Sequence, residues 1–518
     1  MIKFAVLSNV NLDPLKNCLQ KNSLFELYFC RYNCWQSDLL DNTSALYSFL
    51  PDYIFIYLNA EEFKGEISEL LSCVETYFQY SKKTNFIIAN LNSPPYAVSK
   101  YFEKNNSIDK FNAILYDFAE KNNYLSVLDF NRLILLHGYN HLFDDKYWYL
   151  GRIKFSNQGF QVLANEIQNI LTCLQGKTKK VLILDLDNTL WGGVLGEEGW
   201  NQVQLSEEGV GRIFVDFQKK IKQLKEIGIL LVSCSKNNIT DVKEMFEKHP
   251  DMQLCWDDFI LHRIDWKRKS EHIADIAETL KLGLDSMVFI DDSEQERELI
   301  KQTFPQVEVP VFPKDISLLN QWFVTDVVYP FFLKKHLTNE DKEKTTQYQR
   351  NINRSEIQKK MNYDEFLYSL QIHLKIYEPT KDQIVRVAQL TQKTNQFNLT
   401  GKRYSDIEIL KMKNDTKFII FICEYEDKFG KEGIIGCAIL QIENEKAVID
   451  SFLLSCRVLG RNVENDFLKH ILQSLKQNGI CSVKGIYNET AKNIIAKDFY
   501  LKNGFSQTEE HIFILENF

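Results

Sequence analysis

Along the first third of the chain, short hydrophobic runs alternate with longer segments in which hydrophobic positions recur every three or four residues. Continuous runs of this kind are typical of strands buried on both faces, so they predict a parallel sheet covered by helices. Residues 156–174 begin with a serine and keep the helical spacing, which predicts a helix that closes this domain near residue 175. The predicted strands lie at 3–9, 53–59, 85–91 and 124–130.

The same alternation continues through the second third of the chain. Its hydrophobic runs predict further strands at 181–187, 228–235, 286–292 and 307–312. Residues 334–360 then form a charged segment without glycine and with few hydrophobic positions, which predicts a solvated helical connector.

The last third has a different pattern. Long apolar segments at 417–426, 432–443 and 446–456 are separated by short turns, which predicts antiparallel pairing, and a helix is expected over 463–477. The predicted fold class is therefore α/β, with two parallel-sheet domains, the second without a large cap, and a mixed α+β domain. The predicted boundaries are 1–175, 176–333, a linker over 334–360, and 361–518.

Composition argues against several classes of partner and of site. The chain has 518 residues, 44% hydrophobic and 25% charged, and 62 Lys and Arg against 70 Asp and Glu give a net charge of -8. This balance argues against nucleic acid or an anionic membrane surface as a partner. The 11 cysteines include no C-x-x-C pair, so neither a disulfide framework nor a zinc site is indicated. Without a signal peptide or membrane-length apolar stretch, we expect a cytoplasmic protein.

Polar residues follow the apolar runs of the second third of the chain in an order that is typical of a catalytic site. Asp185 and Asp187 end the first run, Ser235 ends the second, Lys269 lies beyond it, and the pair Asp291–Asp292 ends the third. The carboxyl ends of parallel strands meet at one crevice, where ligands bind in open α/β sheets. A strand-capping D-x-D tract could arise by chance, but the ordered set favours a catalytic site.

The set fits phosphoryl transfer. Asp185 would attack phosphorus, Asp187 would carry the leaving-group proton, and Ser235 and Lys269 would neutralise phosphoryl oxygens. Mg²⁺ would be held by Asp185, Asp187, Asp291 and Asp292. Over residues 180–330 this arrangement resembles the haloacid dehalogenase (HAD) superfamily. The gaps between motifs leave no room for a large lid, so we expect an open site over which Trp191-Gly192-Gly193 forms a small flap, with ordinary packing of Trp191 as the alternative.

Longer motifs narrow the resemblance. "DLDNTLWGGVLGEEG" (185–199), "DWKRKSEHI" (265–273), "LTQKTNQFNLTGKRYSD" (390–406) and "SCRVLGR" (455–461) resemble the FkbH-like proteins. The resemblance implies an enzyme that takes a three-carbon unit from a small phosphorylated metabolite, 1,3-bisphosphoglycerate. The unit is loaded onto an acyl carrier protein thiol with loss of phosphate, in polyketide or surface-polysaccharide pathways. Attack by Asp185 at phosphorus and attack by a thiol at carbon both stay open.

A thiol lies next to the predicted site. Cys234 precedes Ser235, and a neighbouring lysine would lower its pKa and activate it as a nucleophile. Strand neighbours point to opposite faces, however, so a small buried strand residue is the alternative. Cys456 is a second candidate with the same alternative.

The third segment resembles GNAT acyltransferases. "SCRVLGRN" resembles their pyrophosphate loop, which assigns cofactor binding to Arg457, Gly460, Arg461 and Asn462 and implies coenzyme A (CoA) or a phosphopantetheine arm as ligand. Asn462 replaces the usual small residue, which puts the cofactor affinity in doubt. Tyr500 in "AKDFYLKNGF" would be the general acid for a thiolate leaving group. We favour binding of the carrier arm over acyl transfer.

The first segment resembles SGNH hydrolases, with Ser8 and Asn59 at strand ends. The late D-x-x-H of that family is missing, because no histidine follows Asp144 or Asp145 at the required spacing. A serine without its base is not activated, so we expect a degenerate domain with a structural or docking role. Two further functions stay open for the whole chain. One is a bifunctional phosphatase and N-acetyltransferase of polysaccharide or nucleotide-sugar synthesis, and the other is a non-catalytic carrier-protein docking module.

Overall fold

The structure is a computed structural model. The chain divides into two compact units, Met1–Leu171 and Thr172–Phe518. Among the described residues, no helix combines the length and apolar character needed to cross a membrane. The structure describes residues 1–20, 24–93, 106–335, 337, 344–358, 361–443, 445–516 and 518.

The first unit is built on a parallel sheet of five strands in the order β2-β1-β3-β4-β5. This is the flavodoxin-like order, in which the chain reverses direction across the sheet beside β1. The central strands β1, β3 and β4 are almost wholly buried because helices cover both faces, as their unbroken apolar runs predict. The strands are β1 (Ile2–Ser8), β2 (Phe25–Phe29), β3 (Tyr53–Tyr57), β4 (Asn85–Ala89) and β5 (Leu125–Leu128).

Nine helices are described along the first unit. The last one starts as predicted, since Ser156 Oγ accepts a hydrogen bond from the Gly159 backbone N–H at 2.9 Å. The helices are α1 (Asp13–Gln20), α2 (Trp35–Leu40), α3 (Ala45–Phe49), α4 (Ile67–Tyr80), α5 (Asn106–Lys121), α6 (Phe130–His137), α7 (Tyr139–Leu142), α8 (Asp145–Gly151) and α9 (Asn157–Leu174).

The second unit begins with a parallel sheet of four strands, β6 (Val181–Leu184), β7 (Leu230–Ser235), β8 (Phe259–Ile264) and β9 (Met287–Ile290), in the order β8-β7-β6-β9. The strand expected over 307–312 is wrong: the segment makes one isolated bridge, Val288 to Glu308. Pro310 within the segment and Pro313 directly after it lack the backbone N–H that strand pairing needs. The fourth strand is β8, which the pattern misses because His262 and Arg263 break its apolar run at the sheet edge.

Helices pack on both faces of this sheet, and two apolar clusters form its core, one around Leu182, Leu184 and Trp191 and the other around Val181, Ile183 and Cys234. The alternation of β6 residues between the two clusters follows from the two-residue period of a strand. The helices are α10 (Leu195–Glu198), α11 (Gly211–Glu226), α12 (Ile239–Lys248), α13 (Lys269–Leu280), α14 (Glu294–Thr303), α15 (Leu319–Trp322) and α16 (Tyr329–Phe331).

The last third of the chain forms a mixed sheet in the order β10-β12-β13-β14-β15-β17-β16. The long strands β12, β13 and β14 pair antiparallel as predicted, whereas β14 and β15 pair parallel. The predicted mixed α+β fold of this segment is therefore confirmed. The strands are β10 (His373–Tyr377), β11 (Phe397–Asn398), β12 (Phe418–Asp427), β13 (Gly430–Glu443), β14 (Lys446–Leu454), β15 (Ser482–Ile486), β16 (Ser506–Glu509) and β17 (Ile512–Glu516).

The helices of this part are α17 (Lys344–Gln358), α18 (Tyr363–Leu370), α19 (Ile384–Lys393), α20 (Asp406–Asn414), α21 (Val463–Gln477) and α22 (Phe499–Lys502). The charged segment over 334–360 contains α17, while 336, 338–343 and 359–360 lie outside the described residues. The expectation that this helix is solvated is wrong: Gln347 and Arg354 are 1% exposed and Tyr348 is 8% exposed. Arg354 is buried because two carboxylates of the third part, Asp427 and Glu432, pair with it.

Candidate functional site

The central strands place their chemical residues at one edge of the sheet. Asp185 follows β6, Ser235 is the last residue of β7, and Asp291 follows β9. Lys269 is the first residue of α13, which comes after β8. Since all four strands are parallel, their carboxyl ends face the same crevice, and the structure brings these residues together there as the sequence predicts.

Lys269 is the centre of a buried charge cluster. Its Nζ lies 2.9 Å from Asp185 Oδ1 and 2.6 Å from Asp291 Oδ2. Lys269 is 4% exposed, Asp185 6% and Asp291 0%. Because so little water reaches these groups, their mutual attraction is strong, and the lysine is held with its ammonium aimed between the two carboxylates.

The pKa values reflect this environment. Burial alone would lower the pKa of Lys269, but the negative charges of Asp185 and Asp291 outweigh it and raise the pKa. Burial raises the pKa of Asp291, as does the neighbouring charge of Asp185, while Lys269 opposes the shift. Burial and Asp185 also raise the pKa of Asp292. The carboxylates therefore repel one another, and one ammonium does not balance them.

Three of these carboxylates fit a divalent cation. Asp185, Asp291 and Asp292 each offer one oxygen, and the three atoms lie within 4.8 Å of one another. Hard oxygen ligands of this kind are what Mg²⁺ prefers. Asp187, assigned to the metal from the sequence, does not belong to this group of carboxylates, because other partners occupy its side chain.

The Asp187 carboxylate accepts three hydrogen bonds. Oδ1 accepts from Trp191 Nε1 at 2.9 Å and from the Leu195 backbone N–H at 3.1 Å. Oδ2 accepts from Asn237 Nδ2 at 2.8 Å. Burial raises the pKa of Asp187, and the three donors oppose that shift. The side chain is thereby fixed in one orientation beside Asp185, as a proton-transfer group requires.

Trp191 is not part of a flap. It is fully buried in the core, and the following Gly192 forms an antiparallel bridge with Gln204. Gly193 has φ +97°, and its backbone N–H donates to Asn188 Oδ1 at 2.9 Å, which closes the turn. The expectation of a small flap is therefore wrong, and the alternative, ordinary packing of Trp191, is confirmed. The turn is a packed support whose indole orients Asp187.

Sequence reasoning missed two residues that support the crevice. Asn237, 4% exposed, lies two positions after Ser235 and reaches Asp187 from the neighbouring strand. Arg297 on α14 donates through Nη1 to the backbone oxygens of Asp291 at 2.7 Å and Asp292 at 2.6 Å. Asn237 lies in "SKNN" (235–238), which begins at Ser235, and Arg297 lies in "FIDDSEQERE" (289–298), which contains Asp291 and Asp292. The local pattern places both residues near the site but does not show which groups they contact.

Ser235 and Cys234 have different surroundings. Ser235 is 2% exposed at the crevice end of β7, as predicted from the sequence. Cys234 is 0% exposed and packs in the apolar cluster around Val181 and Ile183. Burial raises the pKa of the Cys234 thiol, and Lys269 only partly opposes this. The assignment of Cys234 as a nucleophile is therefore wrong, because a neutral thiol inside the core cannot meet a substrate.

The predicted pyrophosphate loop is occupied by the chain itself. Arg457 Nη1 donates to Gln347 of α17, and Arg461 Nη2 donates to Asn351 Oδ1 at 2.7 Å. The Gly460 carbonyl accepts from the Tyr363 hydroxyl at 3.2 Å. The loop as it stands therefore does not fit the diphosphate of CoA.

The remaining residues assigned to the third segment, Asn462, Tyr500 and Cys456, contact protein groups. Asn462 adopts a left-handed conformation with φ 62°, and its Oδ1 accepts from Asn465 Nδ2 at 2.6 Å. Tyr500 is 1% exposed in the core, and burial raises its pKa, so it does not meet a leaving group as a general acid. Cys456 is half-buried beside Tyr348 and Arg457.

In the first unit, Ser8 and Asn59 lie at strand ends, as predicted. Ser8 is 2% exposed, and its Oγ accepts from the Val10 backbone N–H at 3.1 Å. Asn59 and Asn9 exchange hydrogen bonds between side chain and backbone, at 3.1 and 2.8 Å. Asp145 pairs with Lys154 at 3.5 Å rather than with a histidine. Loss of esterase activity stays a prediction.

Comparison with known proteins agrees with the central site. Residues 180–320 match the family model of NLI interacting factor-like phosphatases. The crystal structure of the N-terminal part of BF1531 from Bacteroides fragilis contains a phosphatase domain complexed with Mg. It is 28% identical, with a TM-score of 0.59, and the match covers 65% of this chain and 94% of that one. The chain therefore contains a domain similar to HAD-type phosphatases. No curated protein matches the chain.

Distant likenesses cover other parts of the chain. The ribosomal-protein-S18-alanine N-acetyltransferase of Escherichia coli is 13% identical, with a TM-score of 0.23, over 28% of this chain and 94% of that one. The PaiA N-acetyltransferase of Thermoplasma acidophilum, solved with coenzyme A, is 18% identical, with a TM-score of 0.22, over 28% and 98%. These scores are too low to carry an argument about function.

Proposed function

We propose that this chain is a Mg²⁺-dependent enzyme that passes the acyl unit of an acyl phosphate, such as 1,3-bisphosphoglycerate, to the thiol of an acyl carrier protein with loss of phosphate. One observation carries the proposal: Asp185, Asp291 and Asp292 surround Lys269 at the carboxyl edge of the central sheet. The Mg in the 28% identical Bacteroides fragilis structure supports the choice of ion.

The three carboxylates would hold Mg²⁺, which when bound withdraws charge from the phosphate oxygens. Lys269 Nζ, fixed between Asp185 and Asp291, presents a second positive charge to the same oxygens. Ser235 lies at the end of the neighbouring strand β7, where its hydroxyl is placed to donate a hydrogen bond to the phosphate. These groups neutralise the phosphate oxygens, which favours departure of phosphate when the carbonyl carbon is attacked.

The acceptor thiol is proposed to come from outside the chain. Cys234, the cysteine next to Ser235, is sealed in the core, so the crevice does not use it. The sulfur of the carrier attacks the carbonyl carbon, the bond from that carbon to the phosphate oxygen breaks, and its electron pair leaves with phosphate. Asp187 takes the thiol proton, because its remaining oxygen lone pair is kept in a fixed direction by three donors.

The test is a loading reaction with the full chain, Mg²⁺, 1,3-bisphosphoglycerate and a carrier protein that bears its phosphopantetheine arm. Intact-mass analysis should show a 3-phosphoglyceryl thioester on the carrier with one phosphate released per unit loaded, or a glyceryl thioester with two if the site also hydrolyses the second phosphate. Asp185→Asn and chelation of Mg²⁺ should each abolish loading. Asp216→Asn on α11, whose carboxylate pairs with Arg212 at the surface, is the matched control and should load normally.

Phosphate release at the same rate with and without the carrier, and with no mass gain, would contradict carrier loading and indicate a simple phosphatase. Loading by Asp185→Asn at the wild-type rate would contradict the assignment of the site itself.

A further inference from the structure

The helix α17 and the loop Cys456–Asn462 form an interface that the sequence does not foresee. Two arginines of the loop, Arg457 and Arg461, direct guanidinium N–H groups at the carboxamides of Gln347 and Asn351. Both carboxamides belong to one face of α17. They accept from both guanidinium groups, which an anion at this loop would otherwise have as donors.

The interface leaves little free space. A cavity of about 30 Å³ remains between the helix and the loop, lined among others by Asn351, Cys456, Arg457 and Arg461. A buried water needs roughly 10–15 Å³, so this cavity has room for two or three waters and excludes a diphosphate. A second cavity of about 120 Å³ beside Gly460 is also walled by α17, through Arg354 and Gln358.

Arg354 anchors the helix in this position. Its Nε and Nη2 donate to the two oxygens of Asp427 at 2.7 and 2.6 Å, and its Nη1 donates to Glu432 and to Asn351. The guanidinium also lies over the ring of Phe429 at 5.3 Å. The planar guanidinium pairs with both oxygens of the Asp427 carboxylate, and this bidentate contact fixes the position of α17 along the sheet.

The contacts that close the loop are polar rather than apolar. Arg457 and Arg461 donate to neutral acceptors, which are the carboxamide oxygens of α17, Ser455 Oγ and the Arg457 carbonyl. Arg457 also lies 3.8 Å from Glu432 Oε2, as a long ion pair. A hydrogen bond from a guanidinium to a phosphate oxygen, with both groups charged, is stronger than one to a neutral amide. An anionic ligand would therefore compete with Gln347 and Asn351 for the same donors.

We infer that α17 is an autoinhibitory cover, in which Gln347 and Asn351 occupy Arg457 and Arg461 in place of the diphosphate of a CoA-type ligand. The closed state is the one the structure shows, and ligand binding requires release of at least this part of the helix. Binding and release are then linked, since the ligand can shift the equilibrium only by its preference for the open state.

The test measures CoA binding to the full chain by calorimetry. The double variant Gln347→Ala/Asn351→Ala keeps good helix formers at both positions but removes the two acceptors. It should bind CoA at least tenfold more tightly than the wild type. Asn353→Ala, on the exposed side of the same helix, is the matched control and should bind like the wild type.

Equal CoA affinity of the wild type and the double variant would overturn the inference. So would a folded double variant, checked by its melting temperature, that binds no CoA at millimolar concentration. Hydrogen exchange on the wild type gives a second measurement that needs no variant. Millimolar CoA should speed amide exchange in 344–358 and slow it in 456–463, and unchanged exchange in the helix would contradict the cover.

Discussion

Two buried charge clusters in the second unit look alike but differ in balance. In the central crevice, Lys269 faces Asp185, Asp291 and Asp292, so three carboxylates against one ammonium leave two negative charges. In the third part, Arg354 pairs with both Asp427 and Glu432, and Arg457 lies 3.8 Å from Glu432, so each carboxylate has a cation beside it. The first cluster has excess negative charge that a divalent cation would balance, whereas the second has no excess negative charge.

The balance of buried charge separates a ligand site from a structural support. An unbalanced buried charge is costly, and a bound ion or a shift in pKa relieves that cost. In a balanced buried pair, removing one partner leaves the charge of the other buried without compensation, which lowers the stability of the fold. Substitutions should therefore affect activity at the first cluster and stability at the second.

The largest effect is expected at Lys269. Lys269→Met keeps the length of the side chain but removes the charge that faces the departing phosphate, so kcat should fall by about 10²–10³. Steady-state phosphate release in Mg²⁺ measures this. Lys267→Met, an exposed lysine two positions earlier, should stay within about twofold of wild type. If Lys269→Met keeps a tenth of the activity, the crevice is a structural cluster like the other.

At the balanced cluster the effect should appear in stability. Arg354→Ala leaves Asp427 and Glu432 buried without their partner and should lower the free energy of unfolding by about 3–5 kcal/mol. Urea unfolding measures this, while phosphate release by the central site should stay unchanged. Arg350→Ala, which removes one hydrogen bond to the Lys431 carbonyl, is the control and should cost about 1 kcal/mol. Equal losses of unfolding free energy for both variants would mean that the buried ion pairs of Arg354 contribute no more to stability than a surface hydrogen bond.

The smallest effect is expected at Asn237, which contacts the crevice only through its hydrogen bond to Asp187. Asn237→Ala removes one of the three donors on Asp187, which should lower kcat by about 10–100-fold with KM nearly unchanged. Kinetics over a range of substrate concentrations separates the two constants. Asn238→Ala, its exposed neighbour, should behave like wild type. A change confined to KM would assign Asn237 to substrate binding instead of to Asp187.

Much of the fold follows from local pattern. The strands β1, β3, β4, β5, β6, β7 and β9 and the helix α21 lie where hydrophobic periodicity predicts them, since buried strands and amphipathic helices have recognisable sequence patterns. The pattern fails at the edge strands β2 and β8, because an edge strand tolerates polar residues, and at 307–312, where proline interrupts an apolar run.

The candidate site was predictable in its main members for the same reason. Asp185, Ser235 and Asp291 terminate strands, and parallel strands carry such residues to one edge whatever the loops do. The division of labour among them was not predictable. Asp187 does not belong to the carboxylates that could bind Mg²⁺, because Trp191 and Asn237 hydrogen-bond to its side chain. Cys234 faces the core because the neighbouring strand residue Ser235 faces the crevice.

Most of the elements, the parallel and antiparallel sheets, and the main residues at the crevice follow from the sequence alone. These depend on spacing within one element or on where a strand ends. The role of α17, in contrast, follows from contacts between distant parts of the chain. Its composition indicates a solvated helix, yet Arg354 pairs with Asp427, 73 positions away, and its neighbours close the loop at Arg457 and Arg461. Such pairing depends on which surfaces meet, and charge along a chain does not record that.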